Sequence, residues 1–83
     1  MEKLTKEEYK ILYLIVRGRN SIDRLEGFFS KETILRIIEK LEKEGLIKIS
    51  HRDNEIYGLM ESSLGETLLN SEEYEDWFGE CGD

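Results

Sequence analysis

The spacing of the apolar residues changes at Gly45, and this change limits the folds that the chain can form. Upstream of the glycine the spacing is helical. Downstream of it, apolar and polar residues alternate with a period of two, as in half-buried strands. Because 83 residues form one small domain, the two kinds of element must share a core. The sequence therefore predicts a mainly α domain with a small β-hairpin, in the α+β class.

Cap residues mark where the helices begin and end. Thr5 and Glu8 form a capping box, in which a hydroxyl and a carboxylate each satisfy a free backbone N–H. Ser21 and Ser30 are N-cap residues of two further helices, and Gly45 stands where a left-handed C-cap belongs. These signals predict helices over residues 5–17, 22–26, 31–44 and from 62 or 63 to 69, with a last short helix from residue 72.

The third predicted helix has one apolar stripe and one charged face. The stripe follows the i, i+3, i+4, i+7 rule through Ile34, Ile37, Ile38 and Leu41. After Gly45, residues 46–50 and 55–60 read as two strands, and the polar residues 51–54 between them predict a turn.

Charge is unevenly distributed along the chain. Of its 19 acidic residues, six lie in residues 71–83, where there is no base, so residues 1–70 hold 13 acids and 12 bases. We therefore divide the chain into a domain over residues 1–70 and an acidic, aromatic extension over 71–83. The near-neutral domain does not exclude a nucleic-acid partner.

Two apolar features predict a dimer. The first helix is apolar over more than half of its circumference, so either the rest of the domain or a second copy must cover Tyr13 and Leu14. Tyr74, Trp77 and Phe78 form a second stripe, which either joins a dimer interface or folds back on its own domain. Cys81 either bridges two subunits or is a free thiol.

The order helix, helix, tight turn, helix, hairpin, helix is the winged helix-turn-helix plan. Residues 32–47 resemble the recognition helix and the start of the wing in winged-helix transcription regulators, including the MarR-like group. The likeness is carried by an ending of the Leu-x-x-x-Gly-Leu-Ile type at Leu41, Gly45, Leu46 and Ile47. Residues 21–25 and 62–69 resemble the helix before the turn and the helix after the wing.

The resemblance implies that residues 31–44 enter the major groove of double-stranded DNA and that the hairpin is a wing. Arg36 would read guanine and Arg52 would enter the minor groove, while Leu35 would touch a thymine methyl. The expected DNA-binding residues are Ser30, Lys31, Thr33, Leu35, Arg36, Lys40, Lys43 and Arg52. The alternative for the charged face is a solvated surface with pairs such as Glu32–Arg36 and Glu39–Lys43.

We expect a homodimeric, sequence-specific DNA-binding transcriptional regulator. The alternative is a winged-helix protein-interaction module that does not bind DNA. The sequence has neither a glycine-rich phosphate loop nor a nucleophile elbow, so we expect no enzyme. One Cys with one His predicts no zinc site, and we expect no other metal and no cofactor.

The remaining expectations concern location and source. No apolar run reaches the roughly 20 residues that span a bilayer, and no signal peptide is evident, which predicts an intracellular, cytoplasmic protein without a membrane partner. Abundant Glu and Lys with no Gln predict a thermophilic source, an archaeon or an archaeal virus.

Overall fold

The computed structural model describes residues 4–71 and residue 74. In this part of the chain, four helices and one two-stranded antiparallel sheet follow one another in the predicted order. The elements are α1 (Lys6–Val16), α2 (Ile22–Leu25), α3 (Lys31–Lys43), β1 (Ile47–Arg52), β2 (Glu55–Glu61) and α4 (Ser63–Leu69). The predicted α+β class with a small hairpin is confirmed at this level. The predicted last helix from residue 72 lies outside the described residues.

The predicted capping residues are confirmed at both kinds of helix end. In the capping box of α1, Glu8 N donates to Thr5 Oγ1 at 3.2 Å and Thr5 N donates to Glu8 Oε1 at 3.0 Å. Serine side chains cap the other three helices at Ser21, Ser30 and Ser62. Gly45, which follows α3, has a φ of 79° and so turns the chain into the hairpin at a backbone angle that favours glycine.

The apolar first helix is covered by its own chain. α1 packs against α3, β2 and α4, which together bury both of its sides. Tyr13 and Leu14 are only 5% and 8% exposed. Of the two predicted alternatives, the structure has the one in which the domain itself covers this helix. The expectation that these two side chains need a second subunit to cover them is wrong.

The hairpin turn is shorter than predicted. Only Asp53 and Asn54 form the turn, and both have positive φ, at 53° and 68°, as a two-residue type I′ turn requires. His51 and Arg52, which were predicted in the turn, are the last residues of β1. The asparagine and aspartate tolerate the left-handed backbone because their short polar side chains bond locally.

Both outer edges of the hairpin are attached to the helical part at one cross-strand pair. Ile49 of β1 is opposite Leu59 of β2. Ile49 N donates to Glu42 Oε2 of α3 at 3.3 Å, and Leu59 N donates to the Asn20 carbonyl between α1 and α2 at 2.9 Å. The base of the hairpin is thereby fixed between α3 and the α1–α2 connection.

A second corner joins α3, β1 and α4. Ser62 Oγ donates to the Gly45 carbonyl at 2.6 Å and accepts from Gly65 N at 3.0 Å, so one hydroxyl links the end of α3 to the start of α4. Ser62 N donates to the Leu46 carbonyl at 3.0 Å. Gly65 packs directly against that carbonyl, where a Cβ atom would clash with backbone.

Tyr74 returns to the beginning of the chain. Its hydroxyl accepts a hydrogen bond from Leu4 N at 2.8 Å, and its ring stacks on Tyr9 with centroids 5.1 Å apart. The ring is 2% exposed, so for this residue the fold-back alternative holds and the predicted dimer contact is wrong. Trp77 and Phe78, the other two residues of that stripe, lie outside the described residues.

Candidate nucleic-acid interface

The outward face of α3 lies opposite its buried apolar stripe. Ile34, Ile37, Ile38 and Leu41 are all 3% exposed or less. On the other side of the helix, Arg36 and Lys43 are exposed, as are the acidic residues Glu32, Glu39 and Glu42. This face is the part of α3 that a groove of DNA would meet.

Arg36 and Lys43 have no acidic partner within the described residues. The predicted i, i+4 pairs Glu32–Arg36 and Glu39–Lys43 do not reach ion-pair distance there. The N–H donors of the Arg36 guanidinium are therefore not used in an ion pair there, and a bidentate contact to guanine requires two such donors. Lys31, the first residue of α3, is exposed as well.

Lys40 has a structural partner. Its Nζ donates to Glu8 Oε2 at 2.9 Å, which joins α3 to α1. Burial raises the pKa of the Glu8 carboxyl, but hydrogen bonds from the Thr5 backbone and from Lys40, together with the charge of Lys40, outweigh this effect and leave the pKa below its ordinary value. A phosphate contact by Lys40 would compete with this ion pair.

Ser30 and Thr33 use their hydroxyls within the helix cap. Ser30 Oγ accepts from Thr33 N at 3.3 Å and donates to Thr33 Oγ1 at 2.9 Å. Leu35 is partly buried and packs against the core, so only part of its side chain faces outward. These three predicted DNA contacts therefore also have structural roles.

The hairpin tip has an aromatic partner for Arg52 that sequence analysis missed. The strand register shifts there: Ser50 is opposite Gly58 but His51 is opposite Ile56, which leaves Tyr57 as an extra residue in a bulge. Tyr57 is 68% exposed, and the Arg52 guanidinium carbon lies 5.7 Å from the centre of its ring. The sequence did contain a signal for this bulge. Residues 56 and 57 are both apolar, and two adjacent residues of a regular strand cannot both face the core.

The charges of α3 and its C-cap residue Glu44 cancel. The bases over residues 31–44 are Lys31, Arg36, Lys40 and Lys43, and the acids are Glu32, Glu39, Glu42 and Glu44. The helix can therefore contribute specific contacts to DNA, but it does not by itself form a cationic surface for a phosphate backbone.

Comparisons with known proteins give no relative: neither a family model, nor a curated protein, nor a solved structure matches the chain. Within residues 4–71 and 74, no group of three or more His, Cys, Asp or Glu side chains is placed to hold a metal ion. In the same part of the chain, none of the helices combines the length and the apolar character needed to cross a bilayer.

Proposed function

We propose that this chain is a winged-helix protein that binds double-stranded DNA, with α3 in the major groove and the β1–β2 hairpin as the wing. In this proposal it acts inside the cell as a transcriptional regulator. The observation that carries the proposal is the double attachment of the hairpin at Ile49 and Leu59. It holds the base of the β-ribbon beside α3, so that the two elements with exposed arginines are attached to each other.

Each arginine has a separate role in this proposal. Arg36 projects from the outward face of α3 with free donors and would read a guanine by a bidentate contact. Arg52, next to the exposed Tyr57 ring, would enter the adjacent minor groove from the wing. Lys31 and Lys43 would contact phosphates on either side of the major groove.

The experiment that tests the proposal is selection of bound duplexes from a randomised DNA pool, followed by titration of the selected and random duplexes. We expect enrichment of a defined sequence, because base-edge contacts discriminate between base pairs. Arg36→Ala should reduce discrimination at one position by about 1–3 kcal/mol. Glu39→Ala removes a charge from the same face without removing a donor, and its discrimination should stay unchanged. A pool that shows no enrichment would refute sequence-specific binding.

The proposed regulator is a homodimer. Because the charges over residues 31–44 cancel, two copies that bind successive major grooves would double the number of base contacts without a strongly cationic helix. Equilibrium sedimentation at micromolar protein should give twice the 9.8 kDa mass of one chain. A single 9.8 kDa species, both free and on DNA, would contradict this part of the proposal.

A second candidate function is a protein-interaction module. Exposed apolar side chains favour it: Met60 is 60% exposed on the hairpin and Leu64 is 48% exposed on α4. The zero net charge of residues 31–44 favours it too. If the purified chain fails to bind any duplex even at low salt, where the phosphate contribution is strongest, this second function replaces the first.

A further inference from the structure

The strongest segregation of positive charge lies outside α3. Residues 9–22 contain Lys10, Arg17 and Arg19 and no acidic residue, and Arg24 follows on α2. All four side chains are exposed. We refer to Lys10, Arg17, Arg19 and Arg24 as the basic cluster.

The fold brings the basic cluster together from three parts of the chain. Arg24 reaches back from α2, and its Nη1 donates to the Gly18 carbonyl at 3.2 Å, beside Arg17 and Arg19. Lys10, about two turns before Arg17 on α1, and Arg19 meet at the ring of Phe28, at 5.7 Å and 5.0 Å from its centre.

The cations of the basic cluster are not neutralised by nearby acids. Within residues 4–71 and 74, none of the four is at ion-pair distance from a carboxylate, although Asp23 and Glu26 are close in sequence. The helix macrodipole favours cations at the end of α1, which accounts for Arg17. It does not account for Lys10 in the middle of α1, whose ammonium is near an aromatic ring that is itself 46% exposed.

We propose that the basic cluster is the main phosphate-binding surface of this protein, in addition to Lys31 and Lys43, and that its ligand is the backbone of the same DNA duplex that α3 reads. This inference rests on the proposed function. Phe28 lies two residues before Ser30, the N-cap of α3, so the ring that gathers Lys10 and Arg19 is joined to the N-terminal end of that helix by a short stretch of chain. Phosphates flank the groove that a recognition helix enters, and their contacts set its position.

The different charge patterns of α3 and of the basic cluster indicate different roles in DNA binding. Residues 31–44, which are α3 and its C-cap residue, carry no net charge, and α3 has the guanidinium of Arg36 for a base contact, whereas the basic cluster has four cations. Phe28 is a positioning residue, because its ring holds Arg19 and Lys10 side by side without neutralising them. Neutralisation of phosphates releases counterions, so the basic cluster should determine the salt dependence of binding.

The test measures the affinity for a selected duplex and for a random duplex as a function of salt, starting from about 50 mM, where phosphate contacts dominate. The variant is Lys10→Gln with Arg19→Gln, and the comparison variant is Arg36→Gln with Lys43→Gln, which removes the same charge from α3. We expect the first pair to reduce the slope of log affinity against log salt by about 0.9 per lost phosphate contact on both duplexes. The second pair should lower the slope by no more than the one phosphate contact of Lys43, and should mainly reduce the preference for the selected duplex.

The outcomes separate this inference from the proposed function. An unchanged salt slope in Lys10→Gln with Arg19→Gln, while the wild type still prefers its selected duplex, would overturn the inference alone. Loss of binding in that pair, with no sequence preference in the wild type, would support the basic cluster and contradict base reading by α3. No binding of the wild type to either duplex would overturn both. Phe28→Leu keeps the apolar bulk but removes the ring, and it should lower the affinity for both duplexes by the same factor.

Discussion

The carboxylate of Glu8 accepts a hydrogen bond from Lys40 Nζ at 2.9 Å, and these two residues are 32 positions apart in the chain. The same carboxylate closes the capping box of α1 through its other oxygen. One side chain thus stabilises the start of α1 and links α1 to α3. A residue that the sequence assigns to a local cap is therefore also a tertiary contact.

Glu8→Gln should destabilise the protein at neutral pH by about 1 kcal/mol, since it weakens the cap and removes the charge partner of Lys40. The folded-state pKa of Glu8 is lowered, so its contribution is present above the ordinary pKa of 4.5 and is lost as the pH falls through the folded value. Denaturant unfolding at neutral and at strongly acidic pH measures this difference. Glu39→Gln, on the exposed face of α3, is the control, and an equal loss in both variants would contradict the assignment.

Gly65→Ala should destabilise the fold by about 1–3 kcal/mol, in the range of overpacked substitutions. The added Cβ would clash with the Leu46 carbonyl, which is backbone and cannot move aside without shifting the start of β1. Gly27→Ala is the matched control, because a Cβ there would have no heavy atom within 4 Å. Thermal unfolding of both variants checks the prediction, and comparable melting midpoints for the two would disprove it.

Tyr74→Phe should cost about 1–3 kcal/mol, because it keeps the ring on Tyr9 but leaves the Leu4 N–H without the acceptor that it has in a buried position. Tyr57→Phe removes a hydroxyl from an exposed ring and should change the free energy of unfolding little. Urea titration of both proteins provides the comparison. If Tyr74→Phe is as stable as wild type, the hydrogen bond between Tyr74 and Leu4 contributes nothing to the free energy of unfolding.

Arg52→Ala and Tyr57→Ala should both weaken DNA binding without changing the sequence selected by α3, if the hairpin acts as a wing that follows the minor groove. Tyr57 holds the guanidinium of Arg52 at the tip, so the double variant should lose less than the sum of the two single losses. Affinities for the selected duplex, measured for the three variants, test this coupling. Additive losses would show that the two side chains act independently.

The local features of the fold could be predicted from the sequence. Thr5, Ser21 and Ser30 cap helices because each hydroxyl accepts a hydrogen bond from the backbone N–H three residues further along. Gly45 ends α3 through its own positive φ, which is also a local property. The switch of apolar period after Gly45 predicted the hairpin for the same reason.

What could not be predicted depends on contacts between distant residues. The ion pair of Lys40 and the return of Tyr74 to Leu4 join parts of the chain that no sequence window contains. The sequence did not decide whether Tyr13 and Leu14 are buried by their own domain or by a second copy. The periodicity of apolar residues indicates that a helix face is buried, but it does not identify the element that packs against that face. The basic cluster lies within residues 10–24, but its assembly was missed because it depends on contacts through the fold, such as those of Lys10 and Arg19 with the ring of Phe28.

The attachment of the hairpin at Ile49 and Leu59 divides it into two mechanical parts. Below that pair, the ribbon cannot swing without breaking the bond to Glu42 on one margin and the bond to Asn20 on the other. Beyond it comes the irregular step at Tyr57, where ladder pairing is interrupted. We therefore expect bending to be concentrated at that step, so that in the proposed DNA complex the arginine at the far end would follow variations in groove width while the root of the ribbon stays attached beside α3.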